Sequence, residues 1–201
     1  LAARVAWNML GDDAYSSRIV VLVGSGNNGS DGLVTARHLQ SWGARTTAFL
    51  LAPRSSSDST LQPALDVGVT MVEATDSSHI PEIQSELSEA ALMVDAVLGT
   101  GRSRPLEGVY RDVLAATNAE RERRPELVIL AMDIPSGIDA ETGSADANAL
   151  VADVTVTFGF PKVGLFRFPG ADHMGQITVA DIGITEGLSA GIRQEVVTQT
   201  W

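Results

Sequence analysis

The stretch Ile19-Val-Val-Leu-Val23, running directly into Gly24-Ser-Gly-Asn-Asn-Gly-Ser-Asp-Gly32, decides the fold. Five consecutive apolar residues, mostly β-branched, read as a strand buried on both faces, as in a parallel sheet. Behind it, Gly24, Gly26 and Gly29 form a G-x-G-x-x-G turn between a strand and a helix. Such a turn lets the backbone come close to a phosphate and offers it the free N–H groups of a helix N-terminus. The spacing predicts that helix over residues 30–42, stopped by Gly43.

Outward from this strand, short apolar runs alternate with amphipathic stretches, the pattern of an α/β domain. Residues 1–10 carry Leu1, Val5 and Met9 at helical spacing. Further strands are expected over 46–51, 69–72, 92–98, 127–134, 153–158 and 176–182, and helices over 61–67, 80–91 and 106–122. A glycine- and proline-containing segment, 159–175, separates the last two strands. Right-handed crossovers make the economical topology a Rossmann-like, doubly wound, mostly parallel sheet with helices on both faces, a three-layer α/β/α arrangement. In the common order 3-2-1-4-5-6, the loops after Val23, Leu98 and Ile134 face one crevice at the carboxyl ends of the strands. The run Glu120-Arg-Glu-Arg-Arg124 reads as a solvated helix end with its cations at the favourable C-terminus.

Composition narrows the function. A chain of 201 residues, 44% apolar and 19% charged, fits one globular domain with a real core. No apolar run approaches the eighteen or so residues of a bilayer span. The absence of cysteine excludes a disulfide framework, a thiolate metal site and a cysteine nucleophile, and fits a cytoplasmic protein. With 25 acidic against 14 basic residues, a net charge of -11 argues against general nucleic-acid binding. The chain begins at Leu1 without a signal-peptide pattern, and a cut N-terminus is the expectation.

The three loops carry the chemistry. The first packs Asn27, Asn28 and Asp31 together; turn formation and an N-cap at Ser30 or Asp31 are the plain alternative to ligand binding. The acid that dinucleotide enzymes place at the end of strand two, for the ribose, is replaced here by Pro53-Arg-Ser-Ser-Ser57, which weakens an ordinary NAD-dehydrogenase reading. In the second, Val94-Asp-Ala-Val-Leu-Gly-Thr-Gly101, Asp95 falls inside an apolar strand, where a carboxylate needs a hydrogen bond, a cation or a partner. The residues that follow, to Pro105, bring Arg102 and Arg104 to where phosphates could be met. In the third, Asp133-Ile-Pro-Ser-Gly-Ile-Asp139, Asp133 ends a strand and Ser136 adds an oxygen.

These segments closely resemble the NAD(P)H-hydrate epimerase family, the YjeF N-terminal domain. The resemblance runs through residues 23–39, 94–101 and 132–143, and extends to Thr157-Phe-Gly-Phe-Pro-Lys-Val-Gly-Leu165 and Gly175-Gln-Ile-Thr-Val-Ala-Asp-Ile-Gly183. Ser30 departs from the pattern, since many members have glycine there. The resemblance implies interconversion of the R and S forms of hydrated NADH and NADPH (NADHX and NADPHX) at C6 of the nicotinamide ring. An ADP- or ATP-dependent dehydratase, fused or separate, then restores the S form. It implies substrate contacts from Asn27, Asn28, Gly29, Ser30, Asp31, Gly99, Thr100, Gly101, Arg102, Ser103, Arg104, Pro105 and Asp133. It also implies one potassium ion held by Asn28, Asp95 and Ser136.

Inversion of a carbon centre needs a proton donor and a proton acceptor around the ring. Asp133 is the candidate base and Lys162 the candidate acid or electrostatic partner, with a plain surface lysine as the alternative for Lys162. His38 reads as structural, and His79 and His173 as surface residues. Two other readings compete: a non-catalytic nucleotide-ligand or protein-interaction domain of the same fold, and an ordinary redox domain. Retention of Asp31, Asp95 and Asp133 counts against the first, the missing ribose acid against the second. Residues 1–190 are expected to form the epimerase domain, lacking a first helix, and 191–201 to begin a linker to a dehydratase domain in a multifunctional enzyme; a homodimer is a candidate assembly. An anionic dinucleotide must enter an acidic protein, so Arg102, Arg104, the helix N-terminus and a bound cation are expected to make the crevice locally positive.

Overall fold

A computed structural model describes residues 1–55, 57–101 and 106–184. Seven strands alternate with helices: α1 (Ala2–Leu10), β1 (Arg18–Val23), α2 (Asn27–Ser41), β2 (Arg45–Leu50), α3 (Leu61–Asp66), β3 (Thr70–Glu73), α4 (Ile80–Glu89), β4 (Leu92–Ala96), α5 (Gly108–Arg123), β5 (Val128–Met132), β6 (Val154–Phe158) and β7 (Gln176–Ala180). The sheet order is β3-β2-β1-β4-β5-β6-β7, and every pairing is parallel. The doubly wound order expected from the sequence is therefore present, with β7 added at the far edge.

The apolar run of β1 is continuous because each of its faces meets a different core. Ile19, Val21 and Val23 pack with Leu33, Ala36 and Leu39 of α2 and the alanines of α1, whereas Val20 and Leu22 pack with Leu87 of α4 and Val113 and Leu114 of α5. Side chains alternate across a strand, so only an unbroken apolar sequence can satisfy two covered faces. A third, smaller cluster of Ile134, Ile138, Ala149 and Leu165 packs beneath the loop after β5.

The ends of the elements differ from the sequence reading for local reasons that matter to the site. Helix α2 starts at Asn27, three residues early, because Gly26 is extended and Asn27 and Asn28 already make the first turn. Strand β4 stops at Ala96, where the Val97 N–H turns onto the Asp95 carboxylate (3.2 Å). Strand β5 stops at Met132 because Asp133 takes a left-handed conformation, φ 69°. Helix α5 starts at Gly108 and β7 stops at Ala180, both inside their expected ranges. The segment 159–175 contains two short 3-10 turns, Val163–Phe166 and Gly170–Asp172.

The charged end of α5 corrects an expectation. It is not merely solvated: Arg121 grips Asp153 with two hydrogen bonds (2.8 and 2.6 Å), and Glu120 is 3% exposed. Arg124 donates to the carbonyls of Leu87 (2.9 Å), Ser88 (2.8 Å) and Ala90 (3.1 Å). Those carbonyls lie at the end of α4, where Leu87 also accepts from the Ala90 N–H (3.2 Å), and the guanidinium fork ties the two helices together. Among the described residues, no helix is long and apolar enough to cross a membrane.

Candidate active site

Each of the three loops after β1, β4 and β5 leaves a strand end at the point where the chain order reverses, and together they enclose a cavity of about 920 Å³. Close backbone approach makes this possible. A Cβ on Gly24 would lie 1.9 Å from the Val97 carbonyl oxygen, and one on Gly29 would lie 2.1 Å from that of Gly24. No side chain fits at either position, so the glycines let the first loop fold against the second and against itself.

The floor is built around Asp95, which is fully buried at the end of β4. Its carboxylate accepts from the Ser136 N–H (2.7 Å), the Ser136 hydroxyl (2.6 Å) and the Val97 N–H. Ser136 Oγ in turn accepts from the Leu98 N–H (2.9 Å), so one hydroxyl joins the loops after β4 and β5. Burial pushes the Asp95 carboxyl up to about 6, although the Ser136 hydroxyl, the Ser136 N–H and the Val97 N–H all pull it down. Asn28 donates from Nδ2 to the Leu98 carbonyl (2.9 Å), while its Oδ1 is buried with no hydrogen-bond partner. An orphaned buried acceptor, linked through Leu98 and Ser136 to a desolvated carboxylate, is a polar arrangement left incomplete by the protein alone. Asn28 Oδ1, Asp95 and the remaining lone pair of Ser136 are an oxygen-only donor set, the kind a hard cation takes. Among the described residues, no group of three or more His, Cys, Asp or Glu side chains could hold a metal ion, so the set lacks the charge of a divalent cage.

The reactive side of the cavity is organised by Asp133. Its left-handed backbone turns the carboxylate toward β6, where Oδ1 accepts from Lys162 Nζ, from the Phe158 N–H (3.3 Å) and, weakly, from Thr157 Oγ1 (3.4 Å). A left-handed non-glycine residue is uncommon, and here three partners hold it. The Lys162 ammonium also donates to Thr157 Oγ1 (3.1 Å) and the Phe158 carbonyl (2.9 Å), which uses all three of its protons. Lys162 is thus a half-buried partner of Asp133 and not a plain surface lysine; its side chain is 18% exposed. The other Asp133 oxygen, Oδ2, lies 3.7 Å from where a Cβ of Gly99 would stand. Asp31, in the first turns of α2, has its carboxyl raised, chiefly by burial and further by the charge of Asp133.

Of the residues anticipated from the sequence, Asn27, Asn28, Asp31, Gly99, Thr100, Gly101 and Asp133 line the cavity. Gly29 and Ser30 sit behind the loop, and Ser30 Oγ accepts a hydrogen bond from Arg54 (2.5 Å). Asp95, Ser136 and Lys162 lie beneath the lining. Arg102, Ser103, Arg104 and Pro105 fall outside the described residues, as do the tail at 191–201 and, with the two arginines, the expected local positive charge. Sequence reasoning passed over Arg54, visible there only as the absence of a ribose acid. It also passed over Asp139 and Phe158, which complete the lining.

The histidines lie away from the cavity lining. His38 is exposed and tilted against Trp42 at 5.8 Å. His79 is 3.6 Å from Asp76. His173, expected on the surface, is partly buried with Nδ1 3.0 Å from the Leu150 carbonyl, because the turn before β7 folds under the loop carrying that residue.

The family described as YjeF-related protein N-terminus matches residues 1–164. A bifunctional NAD(P)H-hydrate repair enzyme of Thermofilum pendens is 38% identical over 200 residues, covering 98% of this chain and 36% of that protein. An NAD(P)H-hydrate epimerase of Levilactobacillus brevis is 37% identical over 181 residues, covering 88% of this chain and 78% of that one. The chain therefore spans about a third of the bifunctional relatives and most of the shorter ones. Among solved structures, yeast ynu0 (YNL200c) superposes with a TM-score of 0.75 at 20% identity, over 99% of this chain and 83% of that one, a likeness of fold.

Proposed function

Because the chain belongs to the YjeF N-terminal family, which includes the NAD(P)H-hydrate epimerases, we propose that it interconverts the R and S forms of NADHX and NADPHX at C6 of the hydrated nicotinamide ring. The observation that carries the reading is the Asp133–Lys162 pair, held at the wall of a cavity large enough for a nucleotide.

Epimerisation moves a hydroxyl from one face of C6 to the other with no net change of atoms. When that hydroxyl leaves as water and water returns on the opposite face, one proton is taken up and one released. Asp133 performs this exchange through Oδ2, the oxygen not engaged by Lys162: as a carboxylate it takes a proton from the water that adds and passes it to the hydroxyl oxygen that departs, which restores the carboxylate. Lys162 acts as the electrostatic partner: its protons are spoken for by Asp133, Thr157 and Phe158, so it keeps the carboxylate oriented and its charge balanced. Asn27, Asn28, Asp31 and the Gly99–Thr100–Gly101 backbone offer polar contacts for the substrate along the same wall. Arg102, Ser103, Arg104 and Pro105 belong to the same reading.

The cation of the reading is potassium, one per subunit, which Asn28, Asp95 and Ser136 would hold. Its support is the unpartnered Asn28 Oδ1 and the desolvated Asp95. When bound it would supply a fixed positive charge that favours an anionic ligand. A dehydratase, fused as in the bifunctional relatives or separate, a cytoplasmic setting and a homodimeric assembly complete the proposal.

One assay tests it. A mixture of R- and S-NADHX is given an excess of S-specific dehydratase, and recovery of NADH is followed with and without this chain. The reading expects complete recovery with the chain and a plateau at the S fraction without it. A plateau in both would remove the epimerase assignment.

A further inference from the structure

The cavity is lopsided. Its lining comes from the loops after β1, β4 and β5 and from Phe158 at the end of β6, with none from the described residues that follow β2 and β3. In the ordinary dinucleotide fold, the end of the second strand receives the adenosine ribose on an acidic side chain. Here Arg54 takes that place. Its Nε donates to Asp58 Oδ2 (2.6 Å), one terminal nitrogen to the Gly24 carbonyl (2.6 Å), and the other to Ser30 Oγ (2.5 Å). The side chain is 5% exposed, and a Cβ on Gly29 would come within 2.8 Å of its guanidinium. Asp58 is itself fixed by the Thr60 N–H (2.9 Å) and hydroxyl (2.6 Å). A planar fork with three committed directions cannot swing aside for a sugar without breaking all three contacts.

We propose that Arg54 is a positioning residue that closes the ribose subsite at the end of β2, holds the 24–30 backbone from behind, and so directs the nucleotide portion of the substrate over β4, β5 and β6. The inference rests on the reading that the substrate is a hydrated dinucleotide. Arg54 touches no reacting atom; it works through the loop whose cavity side carries Asn27, Asn28 and Asp31. It also gives Ser30 its role, as one of the two loop acceptors for the fork.

The test compares Arg54→Lys with Arg121→Lys in the full chain. A lysine keeps the charge and loses the fork, so Arg54→Lys raises KM about tenfold with kcat within about threefold. By hydrogen exchange, the amides of residues 26–30 exchange about tenfold faster in that variant. Arg121→Lys, at the opposite end of the sheet, lowers thermal stability and leaves KM and loop exchange at parental values. An unchanged KM in Arg54→Lys, a fall in kcat alone, or the same KM change in Arg121→Lys overturns the proposal. Should Arg54→Lys not fold, Ser30→Gly removes one acceptor and raises KM about threefold; no rise overturns it equally. If the parent shows no epimerase activity, the functional reading fails by itself. The Arg54 proposal is then read from calorimetric affinity for ADP-ribose, which Arg54→Lys weakens about tenfold and which, if unchanged, ends the proposal.

Discussion

The two ends of the sheet treat charge in opposite ways. At the amino ends of the strands, most strong contacts tie one element to another, although Glu120 Oε1 and Thr46 Oγ1 are buried there without a partner. Arg121 grips Asp153, Asp153 accepts from the Ile129 N–H (2.7 Å), Arg124 satisfies the last carbonyls of α4, and Arg18 pairs with Glu89 (3.0 Å). At the carboxyl ends the accounts stay open. Asp95 is buried with no ion pair among the described residues, Asn28 Oδ1 has no partner, Asp31 is raised by burial and by Asp133, and Asp133 sits in a left-handed conformation. One end stabilises the fold. The other gathers a buried carboxyl, an unpartnered amide oxygen and a left-handed aspartate around one cavity, which is how a site differs from a scaffold.

The comparison breaks most visibly at Asp133. Asp133→Asn keeps the left-handed preference of the backbone, since asparagine tolerates that region. It removes the proton acceptor, so epimerase turnover should fall about a hundredfold or more. The thermal midpoint should move less than in Arg121→Ala. Turnover within threefold of the parent would detach the chemistry from this residue.

The next largest effect belongs to the cation. Exchanging potassium for choline at constant ionic strength should lower ligand affinity about tenfold and also lower the thermal midpoint, because an ion that binds only the folded state stabilises it. Asn28→Ala should make both quantities indifferent to the exchange. A parent protein equally indifferent would leave Asn28 Oδ1 without this explanation.

At the amino end the signs reverse. Arg121→Ala leaves Asp153 without its bidentate partner and should cost about 1–2 kcal/mol in chemical denaturation, with KM and kcat unchanged. An altered KM would show that the two ends are coupled and weaken the contrast.

The smallest effect concerns Asp31 and pH. Its carboxyl is raised in the folded protein, by burial first and by Asp133 second. A raised carboxyl contributes stability that is fully present below the ordinary carboxylate value of about 4 and lost as pH rises through its own higher value. Because Asp31 is solvent-exposed, solvent screening keeps the effect small: Asp31→Asn should match the parent at pH 3 and melt only slightly higher at pH 7. Equal midpoints at both values would mean that Asp31 is not a cost to the fold.

The carboxyl-end site was legible in the sequence wherever its residues announce themselves locally. The β-branched run before Gly24, the glycines, and Asp95 and Asp133 at the ends of apolar strands gave the sheet order and the shared crevice. What local pattern could not show joins distant residues: the family resemblance and the reaction it implies, not periodicity, brought Ser136 to Asp95 and Lys162 to Asp133, and Arg54 was passed over. Ser136 reaches Asp95 across 41 positions, and Arg54 reaches the Gly24 carbonyl across 30. Lys162 meets Asp133 across 29 positions, through a left-handed turn at a residue type that seldom adopts one. No periodicity encodes such pairs, because they depend on the register of neighbouring strands and on how each loop leaves its strand. The role of Arg121 was missed for the same reason: its partner Asp153 lies beyond β5, outside its own helix.

The central claim is that this crevice inverts C6 of a hydrated nicotinamide. Its most direct measurement starts from pure S-NADHX with no dehydratase present and separates the epimers by chromatography over time. The account predicts that R-NADHX appears with the parent chain, that a start from pure R converges on the same ratio, and that Asp133→Asn slows both approaches alike. S-NADHX remaining pure beyond its uncatalysed drift would contradict it.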